Sequence, residues 1–164
     1  MPETIPSLPD GTGLRFAVLT AQWHGEITGR LQTAALKTLT DAGVKDDDIL
    51  VIEVPGAYEL PQTAMGVAKG EDVDAVIALG CVVRGETPHF DYVAGCCAEG
   101  LQQVGLETGI PVTMGVITAN TLAQAEARSG DGTGKGGNKG IESTDAALRM
   151  AATYRTLESR RRRS

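Results

Sequence analysis

Leu79-Gly80-Cys81-Val82-Val83-Arg84-Gly85-Glu86-Thr87-Pro88-His89-Phe90-Asp91-Tyr92 is the stretch that decides the fold. An apolar run, Val76 to Leu79, leads into it, and small and apolar residues recur at helical spacing behind it, from Val93 to Leu106. The pattern is a strand, a turn and a helix in succession. In an open α/β sheet, that junction is where a ligand binds. Gly85 allows close backbone approach to a ligand, Thr87 suits the helix cap, and Pro88 suits the first turn. The first N–H groups of such a helix face outward and form a ready anion site. His89, one of two histidines in the chain, stands there. A titratable ring beside an anion pocket suits proton transfer next to a phosphate. A histidine at a helix start can also serve only to bond backbone, so the other segments must decide.

Working outward, Leu14 to Thr20 is a buried strand, and Ala21 to Glu26 a loop holding Trp23. Ile27, Leu31, Ala34, Ala35, Thr38 and Leu39 predict a helix from about Ile27 to Ala42, stopped by Gly43. Asp46 to Asp48 is a turn, and Ile49 to Val54 a second strand. Pro55 to Pro61 is a loop running into a helix over Leu60 to Lys69. Asp74 to Gly80 is the third strand, and the helix of the opening stretch covers about Phe90 to Glu107. Ile110 to Thr118 is the fourth strand, and Asn120 or Thr121 caps a helix from Leu122 to Arg128. Gly130 to Gly137 is a flexible loop, and a last helix runs from Lys139 to Glu158.

Strands rich in Val, Ile and Ala are expected to be buried on both faces, so the sheet is parallel. Right-handed crossovers place helices on both sides of it. The expected fold is a three-layer α/β/α sandwich with a four-stranded parallel sheet in flavodoxin-like order. Residues 1–13, with Pro2, Pro6 and Pro9, form an arm, 14–158 a single domain, and 159–164 a basic tail. Three strand ends carry unusual residues: Trp23-His24, Gly56 to Glu59, and Gly80 to His89. In such a sheet they converge on one edge.

At 164 residues the chain has the length of one domain with a sizeable core. A net charge of −6 argues against a general nucleic-acid binder, and Arg160 to Arg163 is too short and terminal to alter that. Cys81, Cys96 and Cys97 make no disulfide framework and have no zinc spacing, so reduced, buried thiols in a cytoplasmic protein are expected. The Pro-rich, acidic N-terminus does not read as a signal peptide, and no apolar run reaches membrane-spanning length.

From Leu14 to the last helix the chain resembles the lumazine synthase family. The resemblance rests on separate segments in family order. They are Trp23, Pro55-Gly-Ala-Tyr-Glu-Leu-Pro61, Gly80 to Val93, Gly115-Val-Ile-Thr118 with Asn120, Gln124-Ala-Glu-Ala-Arg128, and Gly137-Asn-Lys-Gly140. The related archaeal-type riboflavin synthases share the fold, but these segments match lumazine synthase more closely. The resemblance implies a transferase of riboflavin biosynthesis. Its substrates are 5-amino-6-(D-ribitylamino)uracil and 3,4-dihydroxy-2-butanone 4-phosphate, and its product is 6,7-dimethyl-8-ribityllumazine. The reaction has no redox change, so neither metal nor organic cofactor is implied.

Carried over residue by residue, the resemblance makes Trp23 the stacking partner of the pyrimidine. Ala57, Tyr58 and Glu59 face the ribityl hydroxyls, and Cys81, Val82 and Val83 form the wall against the ring. Backbone N–H groups of Gly85, Glu86 and Thr87 receive the phosphate, with the Glu86 side chain turned away and Arg128 as charge partner. His89 is the acid/base. Trp23 could instead be ordinary core, Glu59 a helix-start carboxylate and Arg128 a helix-end cation. In the family the arginine, and an apolar residue matching Met114, come from the adjacent subunit. Lys139 and Glu142 match nearby polar positions.

A ring of subunits follows, and the family's basic ring is a pentamer. The loop from Ser129 to Asn138 looks longer than in shell-forming relatives, and Pro6 and Pro9 interrupt an arm that would need N–H groups to add to a neighbour's sheet. A pentamer is therefore expected over an icosahedral 60-mer. Two other functions fit the same sheet: a non-catalytic flavin-, lumazine- or nucleotide-binding module, and a structural shell protein. Neither needs His89 and Arg128 together.

Overall fold

β1 (Phe16–Ala21) is buried along its whole length, and the sheet is built around it. The computed structural model describes residues 1–163. In chain order the further elements are α1 (Gly25–Asp41), β2 (Ile49–Val54), α2 (Leu60–Gly70), β3 (Ala75–Val83), α3 (His89–Thr108), β4 (Val112–Ala119), α4 (Leu122–Ala127) and α5 (Lys139–Arg161). The four strands pair in parallel in the order β2-β1-β3-β4, the expected flavodoxin-like arrangement.

Side chains alternate across a strand, so β1 feeds two cores. Phe16 and Val18 pack with Ile27, Leu31, Ala35 and Leu39 of α1 and with Ala147, Leu148 and Ala151 of α5. Ala17, Leu19 and Ala21 pack with Leu60, Ala64 and Val67 of α2 and with Cys97, Leu101 and Val104 of α3. Burying each large side chain, such as Leu31 or Leu60, contributes about 1.5–3 kcal/mol. The sheet is thus a middle layer with α1 and α5 on one side and α2 and α3 on the other.

Burial on both faces holds for β1 and for most of β3, but not for the edges. Leu50 and Val51 of β2 are exposed, as is Met114 of β4. The helices sit over the central strands, and an outermost strand lacks a neighbour on one side.

Helix ends follow local chemistry. Gly43, just past α1, has φ of +92°, a conformation a glycine reaches at no steric cost. Of the two expected caps for α4, Thr121 is the one used, in a capping box with Gln124. The buried Asn138 caps α5, its Oδ1 accepting from the Gly140 and Ile141 N–H groups at 2.8 and 3.2 Å.

Some boundaries differ from expectation. β3 continues past Gly80 to Val83, because its pairing with β4 runs on to Val83 opposite Ala119. Cys81 to Val83 are therefore strand, not loop. α3 begins at His89 with Pro88 in the cap position, one residue later than the Thr87 cap the pattern suggests. The Thr87 hydroxyl still receives the His89 N–H, at 3.4 Å. Asp46–Asp48 and Ala57–Glu59 are short 3-10 turns. α5 runs past Glu158 to Arg161, and Arg160 pairs with Glu3 at 2.6 Å. The arm lies back along α5 there, since Arg149 also donates to the Ser7 carbonyl at 2.6 Å. Cys81 and Cys97 are buried as expected, but Cys96 is exposed. Adjacent helical residues point about 100° apart, so when Cys97 faces the sheet Cys96 cannot. Among the described residues, no helix is long and apolar enough to cross a membrane.

Candidate active site

The chain leaves β1 toward β2 and leaves β3 toward β4, in opposite directions across the sheet. The switch point between these neighbouring strands opens a crevice at their C-terminal ends. A cleft of about 530 Å³ lies there. It is walled by Trp23 and His24 after β1, Gly56 to Glu59 after β2, Cys81 to Val83 of β3, and His89, Tyr92 and Val93 of α3.

Each wall is positioned by backbone. The β1–β2 ladder continues past the strands, with Gln22 N–H donating to the Val54 carbonyl at 2.8 Å and Trp23 N–H to the Pro55 carbonyl at 3.2 Å. This lays Trp23 against the Gly56 turn, where a Cβ on Gly56 would stand 2.9 Å from Trp23 Cδ1 and 3.3 Å from Glu59 Oε2. The indole, Gly56 and the Glu59 carboxylate are therefore one contiguous surface. Glu59 N–H closes the turn onto the Gly56 carbonyl at 3.2 Å. Trp23 is 71% exposed, which rules out the core alternative for it. Tyr58 and Tyr92 are exposed as well, so aromatic faces rim an otherwise largely apolar cleft.

His89 projects from the first position of α3 on the wall formed by that helix. Just ahead of it, the N–H groups of Gly85, Glu86 and Thr87 have no acceptor among the described residues. They are exposed and free to receive an anion. Gly85 has open space where a Cβ would be, and its φ is not left-handed, so nothing within one chain demands a glycine there.

Arg84 is already committed. Its guanidinium bonds Asn120 Oδ1 at 3.0 Å and Asp91 at 3.2 Å and lies 4.4 Å above the Phe90 ring. Arg128, at the end of α4, donates to the Gln124 carbonyl at 3.0 Å, and among the described residues its charge has no carboxylate partner. Lys139 pairs with Glu142 at 3.0 Å. Cys81 is buried on the α1/α5 side of β3. Burial, and secondarily the Glu126 charge, push its thiol up to about 11, so at neutral pH it is a protonated wall group.

The cleft brings together Trp23, Ala57, Tyr58, Glu59, Cys81, Val82, Val83 and His89. Gly85, Glu86 and Thr87 lie beyond its lining, on the turn before α3, and Met114 and Arg128 do not line it within one chain. His24, placed on this edge from the sequence but given no role there, lines it, as do Tyr92 and Val93, which were not assigned to the site. For His24 a signal existed, since it is the other histidine of the chain and stands beside the sole tryptophan. The structure adds that it has φ of +58°, alone among described non-glycine residues, and that it caps α1 through its carbonyl.

The family profile described as 6,7-dimethyl-8-ribityllumazine synthase matches residues 13–155. A 6,7-dimethyl-8-ribityllumazine synthase of Porphyromonas gingivalis is 45% identical over 149 residues, covering 91% of each chain. Another, of Phocaeicola vulgatus, is 46% identical over 144 residues, 88% of this chain and 84% of the relative. A third, of Xylella fastidiosa, is 44% identical over 145 residues, 88% of this chain and 92% of the relative.

Proposed function

The chain belongs to the 6,7-dimethyl-8-ribityllumazine synthase family, and from that premise we propose that the cleft between β1 and β3 is where it carries out the family's reaction. The protein is a transferase of riboflavin biosynthesis: it condenses 5-amino-6-(D-ribitylamino)uracil with 3,4-dihydroxy-2-butanone 4-phosphate to give 6,7-dimethyl-8-ribityllumazine. The observation that carries the siting is the meeting, in one crevice, of a bare stacking indole, a carboxylate against it and an imidazole beside free N–H groups.

The pyrimidine stacks on Trp23 and its ring edge meets the backbone of Cys81, Val82 and Val83. The ribityl chain runs along Ala57 and Tyr58 to Glu59, which accepts from its hydroxyls. The butanone phosphate places its anion on the N–H groups of Gly85, Glu86 and Thr87, with Arg128 clamping it. The free amine attacks the ketone, and the carbinolamine loses water to give an imine. Phosphate leaves by elimination after a proton is taken from carbon, and ring closure with a second dehydration follows. His89, adjacent to the anion turn, gives and takes these protons, a contribution typically of about 10²–10⁴-fold. The remainder comes from holding two substrates in register.

Met114 and Arg128 lie outside one chain's cleft, and an adjacent subunit supplies both. The assembly is a pentameric ring, and the enzyme works in the cytoplasm. Two tests apply. Mixing both substrates with the protein yields lumazine fluorescence, and His89→Ala slows the reaction by about 10²-fold without abolishing it. A wild-type rate for His89→Ala removes the acid/base role. Sedimentation velocity gives a species of five or ten chains, and a dominant species of sixty refutes the ring.

A further inference from the structure

Arg30 projects from α1, outside the cleft, and reaches the end of α4. Its Nε donates to the Ser129 carbonyl at 3.1 Å, its Nη2 to the Ser129 hydroxyl at 3.0 Å, and Nη2 also pairs with the Glu126 carboxylate. Glu126 and Ser129 flank Arg128 in the sequence, so one guanidinium grips the chain on both sides of it.

The grip belongs to a wider closure. Ser129 is fully buried and bridges to Asn138 across the base of the Gly-rich loop. Asn138 Nδ2 donates to the Gly130 carbonyl at 2.7 Å, and Lys139 N–H to the Arg128 carbonyl at 3.0 Å. Gly136 passes so close that a Cβ there would stand 2.1 Å from the Ala127 carbonyl oxygen. The backbone of Arg128 is thus held from α1, from the loop and from the start of α5. Among the described residues its side chain is left with one neutral acceptor, the Gln124 carbonyl. The nearest acidic residue in the sequence, Glu126, is occupied by Arg30. The Glu126 charge is also felt at Cys81, on the cleft wall.

We infer that Arg30 is a positioning residue for Arg128, holding the Ser129 backbone and engaging Glu126 so that the Arg128 guanidinium is presented to an anion. This rests on Arg128 being the phosphate partner. Without Arg30, Glu126 becomes a free carboxylate two residues from Arg128. It then competes for that guanidinium and draws it away from the phosphate.

The test is two-substrate kinetics on the assembled enzyme. Arg30→Met keeps the apolar stem and removes the guanidinium. The expected result is a KM for the butanone phosphate raised roughly three- to tenfold, with kcat and the KM for the pyrimidine within about twofold of wild type. Arg30→Lys retains a charge for Glu126 but cannot serve both oxygens of Ser129, so it recovers only part. Calorimetry with inorganic phosphate should show weaker binding by the same factor, a readout independent of turnover. Adding Arg30→Met to Arg128→Ala should change nothing further, because the two act on one interaction. An unchanged KM in Arg30→Met, an equal rise for both substrates, or multiplying effects in the double variant overturns the inference. If Arg128→Ala raises the butanone phosphate KM and Arg30→Met does not, only the positioning role is wrong. If Arg128→Ala leaves that KM unchanged, the phosphate assignment itself is wrong and the positioning role falls with it.

Discussion

Gly56→Ala tests the geometry of the pyrimidine half-site at a single methyl group. Gly56 has φ of −154°, extended backbone that any residue adopts, so alanine brings no backbone strain. What it brings is a Cβ 2.9 Å from Trp23 Cδ1 and 3.3 Å from Glu59 Oε2. Ordinary carbon contacts begin at about 3.5 Å, so the indole must move by roughly 0.6 Å or rotate. Trp23 is free to do so, because it is 71% exposed. The expected stability loss is therefore small, under about 1 kcal/mol. Binding should suffer more, since the moved ring is the stacking face and the displaced carboxylate is the ribityl acceptor. An error of this size in a positioned group lowers kcat/KM for the pyrimidine by about tenfold, or ~1.4 kcal/mol. The assay is steady-state lumazine formation with pyrimidine varied at saturating butanone phosphate. Emission of the sole tryptophan, on titration with a pyrimidine analogue, reports stacking directly. A KM for pyrimidine and a quenching curve both unchanged from wild type would refute the contact between Trp23, Gly56 and the ligand.

Gly85→Ala makes the complementary case: its Cβ meets nothing within 4 Å, so the thermal midpoint should not change, while the KM for the butanone phosphate rises about tenfold because the methyl group occupies the anion's approach. A wild-type KM there would place the phosphate elsewhere. Asn138→Ala removes a buried cap that accepts two N–H groups and donates to the Gly130 carbonyl, so a loss of about 2 kcal/mol is expected. That corresponds to a midpoint lower by roughly 4–8 °C in a thermal scan, and an unchanged midpoint contradicts the cap's role. Burial pushes the Cys81 and Cys97 thiols up to about 11, so each is protonated at pH 8, with a thiolate fraction of about 10⁻³. Iodoacetamide should leave both unmodified in the native protein at pH 8, with labelling accelerating about tenfold per pH unit above it. Rapid native modification of Cys81 at pH 8 would contradict its burial.

Much of the molecule was legible before any coordinates. The alternation of Val- and Ile-rich runs with helical spacing specified a parallel sheet with helices on both faces, because strand periodicity and crossover length are local properties of the chain. Trp23, the Gly56–Glu59 turn and His89 could be assigned to one edge because strand ends in such a sheet must share an edge. A cap at Asn120 or Thr121, and the stop at Gly43, were local chemistry too, whereas the Asn138 cap of α5 came only with the structure. Three things could not be derived that way. The extension of β3 through Val83 depends on a partner strand, β4, that pairs with it residue for residue up to Ala119. The sequence put His24 on the converging edge, but its left-handed backbone, with φ of +58°, shows only in the structure. The grip of Arg30 on Ser129 joins positions 99 residues apart, and no local pattern encodes it. Sequence determines which elements form, because propensity, capping and hydrophobic period act over a few residues. Only the tertiary structure decides which side chains from distant elements meet, because that is settled by how the layers pack.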